Sequence, residues 1–187
     1  DAKPGAELIF DTIPGVTRDE FAEALERGTL NKCLDRVAVQ PGDVINIPSG
    51  VVHAIGSGII LAEIQQSSNA TYRVYDYDRI GKDGQKRPLH VQKALDVIDF
   101  ANSGRRKKHP GLKIDYCGGS RTIAVANKFF AIELFESNEV LEDDTKLERF
   151  HILMFFTGSG ELEYEGGILE CRNGSLEVKA GESILVP

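Results

Sequence analysis

The sequence predicts a mainly β chain: two related β-barrels with a few short helices. Three observations predict it. Short apolar runs alternate with turns rich in Gly, Pro and Asp. The spacing Gly42, five residues, Pro48 returns as Gly181, five residues, Pro187, an internal repeat. Helical periodicity is confined to two short stretches.

Taken in order, Ala6 to Phe10 reads as a strand. Thr17 then opens a helix as its N-cap, and Glu20, three residues on, completes a capping box. Phe21 and Leu25 form its packing stripe and Gly28 ends it. Arg36 to Gln40 and Val44 to Ile47 read as strands around the turn Pro41-Gly42-Asp43, with Ile45 and Ile47 sharing one face. Ile59 to Gln65 and Thr71 to Tyr77 read as the next pair, and Lys82 to Gln85 as a hairpin-like turn. A second helix follows Pro88, with Val91, Leu95 and Ile98 as its buried stripe. Asn102 to Gly111 has the composition of a connector. The strands expected beyond it are Thr122–Ala126, Phe129–Phe135, Phe150–Phe156, Glu161–Tyr164, Ile168–Arg172, Leu176–Val178 and Ser183–Val186. No helix follows Gly158-Ser159-Gly160, so this is a turn and not a nucleotide-binding loop.

Composition excludes several classes. A hydrophobic share of 41% and a charged share of 27% over 187 residues are those of a globular protein. The net charge of −7 argues against a general nucleic-acid binder, whose affinity rests on Lys and Arg neutralising phosphates. The basic run Arg105–Lys108 therefore reads as a solvated connector. No apolar run approaches the roughly 20 residues of a membrane helix, and no signal peptide pattern opens the chain. Cys33, Cys117 and Cys171 are widely spaced and read as free thiols of a reducing, cytoplasmic compartment. Asp1 is no initiator methionine, and the last residue, Pro187, is the proline of a repeated spacing. A piece of a longer chain is the expectation.

The stretch from Gln40 to Arg79 carries the chemistry. After Pro48, four residues lead to His53, so a glycine turn and a proline stop aim one imidazole at the mouth of a barrel. Gly, five residues, Pro, four residues, His is the spacing of a metal-binding motif of the cupin (jelly-roll) barrels. Around it stand Pro48-Ser49-Gly50-Val51-Val52-His53-Ala54-Ile55-Gly56, then Glu63, then Gln66-Ser67-Ser68-Asn69-Ala70-Thr71-Tyr72-Arg73. On these residues the chain resembles the type I mannose-6-phosphate isomerases in their short bacterial form, members of the cupin superfamily.

The resemblance implies a zinc-dependent aldose–ketose isomerase that interconverts mannose 6-phosphate and fructose 6-phosphate through a cis-enediolate. It makes His53 a zinc ligand and Arg73 the active-site arginine that stabilises charge on the substrate. It also favours a cleft position for Glu63, with a part in proton transfer, and makes Arg79 a weaker candidate for the phosphate. Zinc at a catalytic site takes three protein ligands and leaves one position open. The family's other ligands precede the first strand seen here, so the chain alone is expected to be inactive. His90, His109 and His151 are read as ordinary structural histidines.

Residues 1–101 are accordingly expected to be the C-terminal part of the catalytic barrel with helical insertions. Residues 102–187 would then be a second, non-catalytic barrel, incomplete at its end. The expected partner is a phosphorylated hexose, with neither nucleic acid nor membrane; oligomeric state is left open. The alternatives are a cupin sugar-binding module without catalysis and another metal-dependent cupin enzyme.

Overall fold

The computed structural model of the chain describes residues 1–68, 70–77, 79–104, 110–146, 148–165 and 173–187. The run Arg105–Lys108, His109 and the strand expected over Ile168–Arg172, with Cys171, lie outside the described residues. Two compact units form, Asp1–Glu136 and Ser137–Pro187.

The first unit is built around β1 (Glu7–Thr12), which lies between β2 (Leu34–Ala38) and β3 (His53–Ile55), both antiparallel to it. A central strand is covered on both faces, and here each face has its own cluster. Ile9 points to one side, where Phe21, Ala24, Leu30, Cys33, Leu34 and Leu95 gather. Leu8 and Phe10 point to the other, against Val51, with Val37, Val39, Ile45 and Ile47 packed around them. Between Ile9 and Thr12 the register with β2 shifts. Asp11 takes up the irregularity with φ +85°, and its carboxylate accepts from the Thr12 and Gly104 N–H groups.

Two helices cover the Ile9 face. In α1 (Arg18–Glu26) the capping box forms as the sequence predicts: the Thr17 hydroxyl accepts from the Glu20 N–H, and the Glu20 carboxylate accepts from the Thr17 N–H at 2.8 Å. Phe21 is wholly buried and Leu25 packs against the same cluster. In α2 (Val91–Val97) the predicted stripe also holds, with Leu95 buried and Val91 and Ile98 partly so. A three-stranded sheet, β4 (Leu112–Tyr116), β5 (Gly119–Ala126) and β6 (Ala131–Ser137), follows in that order. The strand β4 is an addition to the sequence reading, although Leu112, Ile114 and Tyr116 alternate with polar residues.

In the second unit β7 (His151–Met154) pairs antiparallel with β10 (Ser183–Val186), and β8 (Ser159–Tyr164) with β9 (Gly174–Lys179). The internal repeat extends to atoms. The Asp43 N–H donates to the Gln40 carbonyl at 3.2 Å and the Gln40 N–H to the Asp43 carboxylate at 2.8 Å. In the second unit the Glu182 N–H donates to the Lys179 carbonyl at 3.2 Å and the Lys179 N–H to the Glu182 carboxylate at 2.9 Å. Gly42 (φ +87°) and Gly181 (φ +93°) hold the same turn position, where a side chain would be strained. The hairpin register repeats as well. Glu7-Leu8 faces Ala38 and Val37 ahead of one turn, and Glu161-Leu162 faces Glu177 and Leu176 ahead of the other.

The mainly β character stands, with two short α-helices. The described strands form four small open sheets, and no closed barrel forms among the described residues. Three expected strands differ. Val44–Ile47, Ile59–Gln65 and Thr71–Tyr77 enter no sheet, apart from a single bridge between Ile59 and Ala2. Apolar alternation prepares a segment for a sheet, but a ladder needs a neighbouring strand, and the described residues supply none.

Candidate functional site

His53 is positioned by a turn that only glycine allows. The Val51 N–H donates to the Pro48 carbonyl, and Gly50 has φ +82°. A Cβ on Gly50 would meet the Val97 carbonyl oxygen at 2.8 Å, so the turn is seated against the end of α2, where the Asp99 N–H donates to the Gly50 carbonyl. His53 then opens β3 opposite Phe10, on the face that carries Leu8 and Phe10, and is itself exposed. Its Nδ1 lies 3.0 Å from the Val51 carbonyl oxygen, which can only accept. A hydrogen bond there requires a proton on Nδ1, and the neutral ring that makes it has its lone pair on Nε2, open to a cation.

Glu63 lies in the stretch after β3 that joins no sheet. It is exposed and makes no hydrogen bond or ion pair among the described residues. Ile60, Leu61 and Ile64 around it are exposed as well.

Arg73 is held closely. Its carbonyl accepts from the His90 N–H at 2.7 Å, its own N–H donates to His90 Nδ1 at 3.4 Å, and its Nη1 donates to the Pro88 carbonyl at 3.4 Å. Its Nε is 3.8 Å from Asp76 Oδ1. Asp76 is buried and accepts a two-pronged grip from Arg87, through Nε to Oδ2 at 2.7 Å and through Nη2 to Oδ1. That hydrogen bonding from Arg87, aided by the charges of Arg87, Arg73 and Arg79, holds the Asp76 carboxyl below the usual range against the opposing effect of burial. In turn it raises the Arg87 guanidinium.

Arg79 closes the turn by donating its N–H to the Asp76 carbonyl, and its guanidinium lies 5.3 Å above the Tyr77 ring. Val74, Tyr75, Asp76, Arg79, Lys86 and Arg87 line a cleft of about 200 Å³.

The structure thus brings Arg73 and Arg79 together around Asp76. No hydrogen bond or ion pair among the described residues joins His53 or Glu63 to them. Nor do three His, Cys, Asp or Glu side chains converge on a point that could hold a metal among the described residues. Sequence reasoning missed Asp76 and Arg87, and the only signal was an aspartate set between two tyrosines just after Arg73; His90 has the structural role expected of it, here at the Arg73 backbone.

The mainly β frame that carries this imidazole and this cluster of arginines has a counterpart among solved structures. Over its whole length the chain matches 56% of the crystal structure of a Bacillus subtilis mannose 6-phosphate isomerase, with a TM-score of 0.81 and 28% identity. A probable mannose-6-phosphate isomerase of the same organism, GmuF, is 48% identical over 98 residues, which are 52% of this chain and 31% of that protein. The Bacillus subtilis mannose-6-phosphate isomerase ManA is 46% identical over 106 residues, 57% of this chain and 33% of that one. No family model matches. Over half of its length or more, the chain is thus similar to mannose-6-phosphate isomerases. It spans about half, or less, of the length of the relatives it matches: alignment to a putative Bacillus subtilis mannose-6-phosphate isomerase, YvyI, takes in 100% of this chain and 56% of that protein, at 30% identity. Among the described residues no helix is long and apolar enough to cross a membrane.

Proposed function

We propose that the chain serves an aldose–ketose isomerase that interconverts mannose 6-phosphate and fructose 6-phosphate. The observation that carries this reading is the likeness in fold, over all of this chain, to the Bacillus subtilis enzyme. The reaction moves a proton between C2 and C1 of the opened sugar through a cis-enediolate. Arg73 stabilises the negative oxygens of that intermediate with its guanidinium donors. Glu63, exposed and without a partner among the described residues, takes part in the proton transfer. Arg79, at the cleft, is the candidate for the phosphate.

His53 is the zinc ligand of this reading. Its donor set fits in part: Nδ1 is tied to a backbone carbonyl, as in metal-bound histidines, and leaves Nε2 to ligate. One imidazole does not make a site, so the remaining ligands are expected outside these 187 residues. Bound zinc would polarise the sugar carbonyl as a Lewis acid. The repeated turn and hairpin register support reading the chain as two related cupin barrels. The one from about residue 102 onward would have no site of its own.

The test is isomerase turnover by the full-length natural protein beside its His53→Ala and Arg73→Ala variants. Arg73→Ala is expected to lower kcat by about 100- to 1,000-fold. His53→Ala is expected to lower zinc content, read by atomic emission, as well as activity. A protein that binds the sugar phosphate but never turns it over would point instead to a cupin binding module.

A further inference from the structure

We infer that Asp76 and Arg87 form a lock that fixes the direction of the Arg73 guanidinium, which makes Arg87 a positioning residue for the isomerisation. The inference rests on the proposed role of Arg73. An arginine side chain has four rotatable torsions, and an unrestrained one spends little time in any single orientation. At Arg73 the restraint is built from the backbone outward. His90 pairs with both its N–H and its carbonyl, the Pro88 carbonyl takes Nη1, and the Asp76 carboxylate stands by Nε. Among the described residues Nη2 makes no hydrogen bond or ion pair, and its two donors are the ones we assign to an oxygen of the substrate.

Asp76 can play this part only because something holds it. A buried carboxylate without donors is costly and would turn away toward water. Arg87 prevents this by gripping both oxygens at once, a geometry that lysine cannot reproduce. The chain delivers Arg87 by a hairpin-like return. Ile80 bridges to Lys86, the Gly81 N–H donates to the Gln85 carbonyl, and Gly84, at φ +75°, turns the corner. The same return carries Pro88 and His90 to Arg73. The loop between Arg73 and His90 thus folds back on Arg73 itself, and its turn chemistry has a use.

The experiment is a double-mutant cycle in the full-length protein: Arg87→Met, Arg73→Ala and the pair, with kcat and KM measured well below each variant's melting temperature. Arg87→Met alone is expected to lower kcat about 10- to 100-fold with KM little changed, since a misdirected group costs rate before it costs binding. In the Arg73→Ala background the same change is expected to cost less than about twofold, because no guanidinium is left to direct.

Asp76→Asn, of the same shape, keeps the site assayable if Arg87→Met folds poorly, and is expected to show the same dependence on Arg73. Arg87→Lys is expected to restore little. An Arg87→Met or Asp76→Asn loss of equal size with and without Arg73 would mark a merely structural pair and overturn the lock. So would kcat within about twofold of wild type for both. A fully active Arg73→Ala would instead overturn the reading of Arg73 on which the lock rests.

Discussion

Phe21 has no exposed surface, and its ring meets that of Phe100 edge-on at 5.6 Å. The contact joins α1 to the segment after α2 across the Ile9 cluster. Phe21→Ala removes a ring that the surrounding side chains cannot follow, so a loss of about 3–5 kcal/mol in unfolding free energy is expected from urea denaturation. A loss under about 1 kcal/mol would mean that this cluster is not the core of the first unit. Phe21 could be picked out from sequence because a turn of helix separates it from Leu25. His53 could be picked out because Gly42, Pro48 and Gly50 each have a local turn to make. The surroundings of Arg73 could not. Asp76 stands only three residues on, but Arg87 and His90 reach it only after the chain returns, and residue types in a line do not show which of them a hairpin will bring back. The positive φ of Asp11 was hidden for a similar reason, since a bulge belongs to the pairing of two strands and not to either one alone.

Among the elements, α1 owes its start to the reciprocal bonds between Thr17 and Glu20. Thr17→Ala leaves the Glu20 N–H without its acceptor and is expected to cost about 1 kcal/mol. The backbone N–H of Thr17 first, and its hydroxyl second, hold the Glu20 carboxyl below its ordinary value. A carboxyl with a lowered folded pKa adds stability above its unfolded pKa of about 4.3, and that stability is lost as pH falls through the folded value. Glu20→Gln should therefore destabilise the protein at pH 7. By about pH 3 the difference from wild type should shrink. Urea midpoints at the two pH values check this; a difference that is constant or grows on the acid side would show that the charge is not what caps the helix. The caps and stripes of both helices were legible because a helix closes its hydrogen bonds within one segment. Strands were legible only in composition. Val44–Ile47 has a strand's alternation and its Ile45 and Ile47 do pack together, yet it joins no sheet, while Ser183–Val186 with the same turn before it pairs with β7.

At the scale of the whole chain, the repeat can be tested as a repeat. Gly42 and Gly181 occupy the same place in two turns with the same pair of bonds, and a Cβ added at either would meet nothing within 4 Å. Any cost of Gly→Ala there comes from the backbone alone, about 1–2 kcal/mol for a left-handed residue that gains a Cβ. If the two turns are one device used twice, Gly42→Ala and Gly181→Ala should destabilise by similar amounts in chemical denaturation. Gly56 is the contrast: a Cβ there would lie 2.0 Å from the Glu7 carbonyl oxygen, so Gly56→Ala must displace β3 from β1 and cost more than either. A Gly42→Ala variant as stable as wild type beside a weakened Gly181→Ala would mean that the likeness is one of spacing only. The first turn would then be free to relax, and with it the glycine-and-proline frame that aims His53.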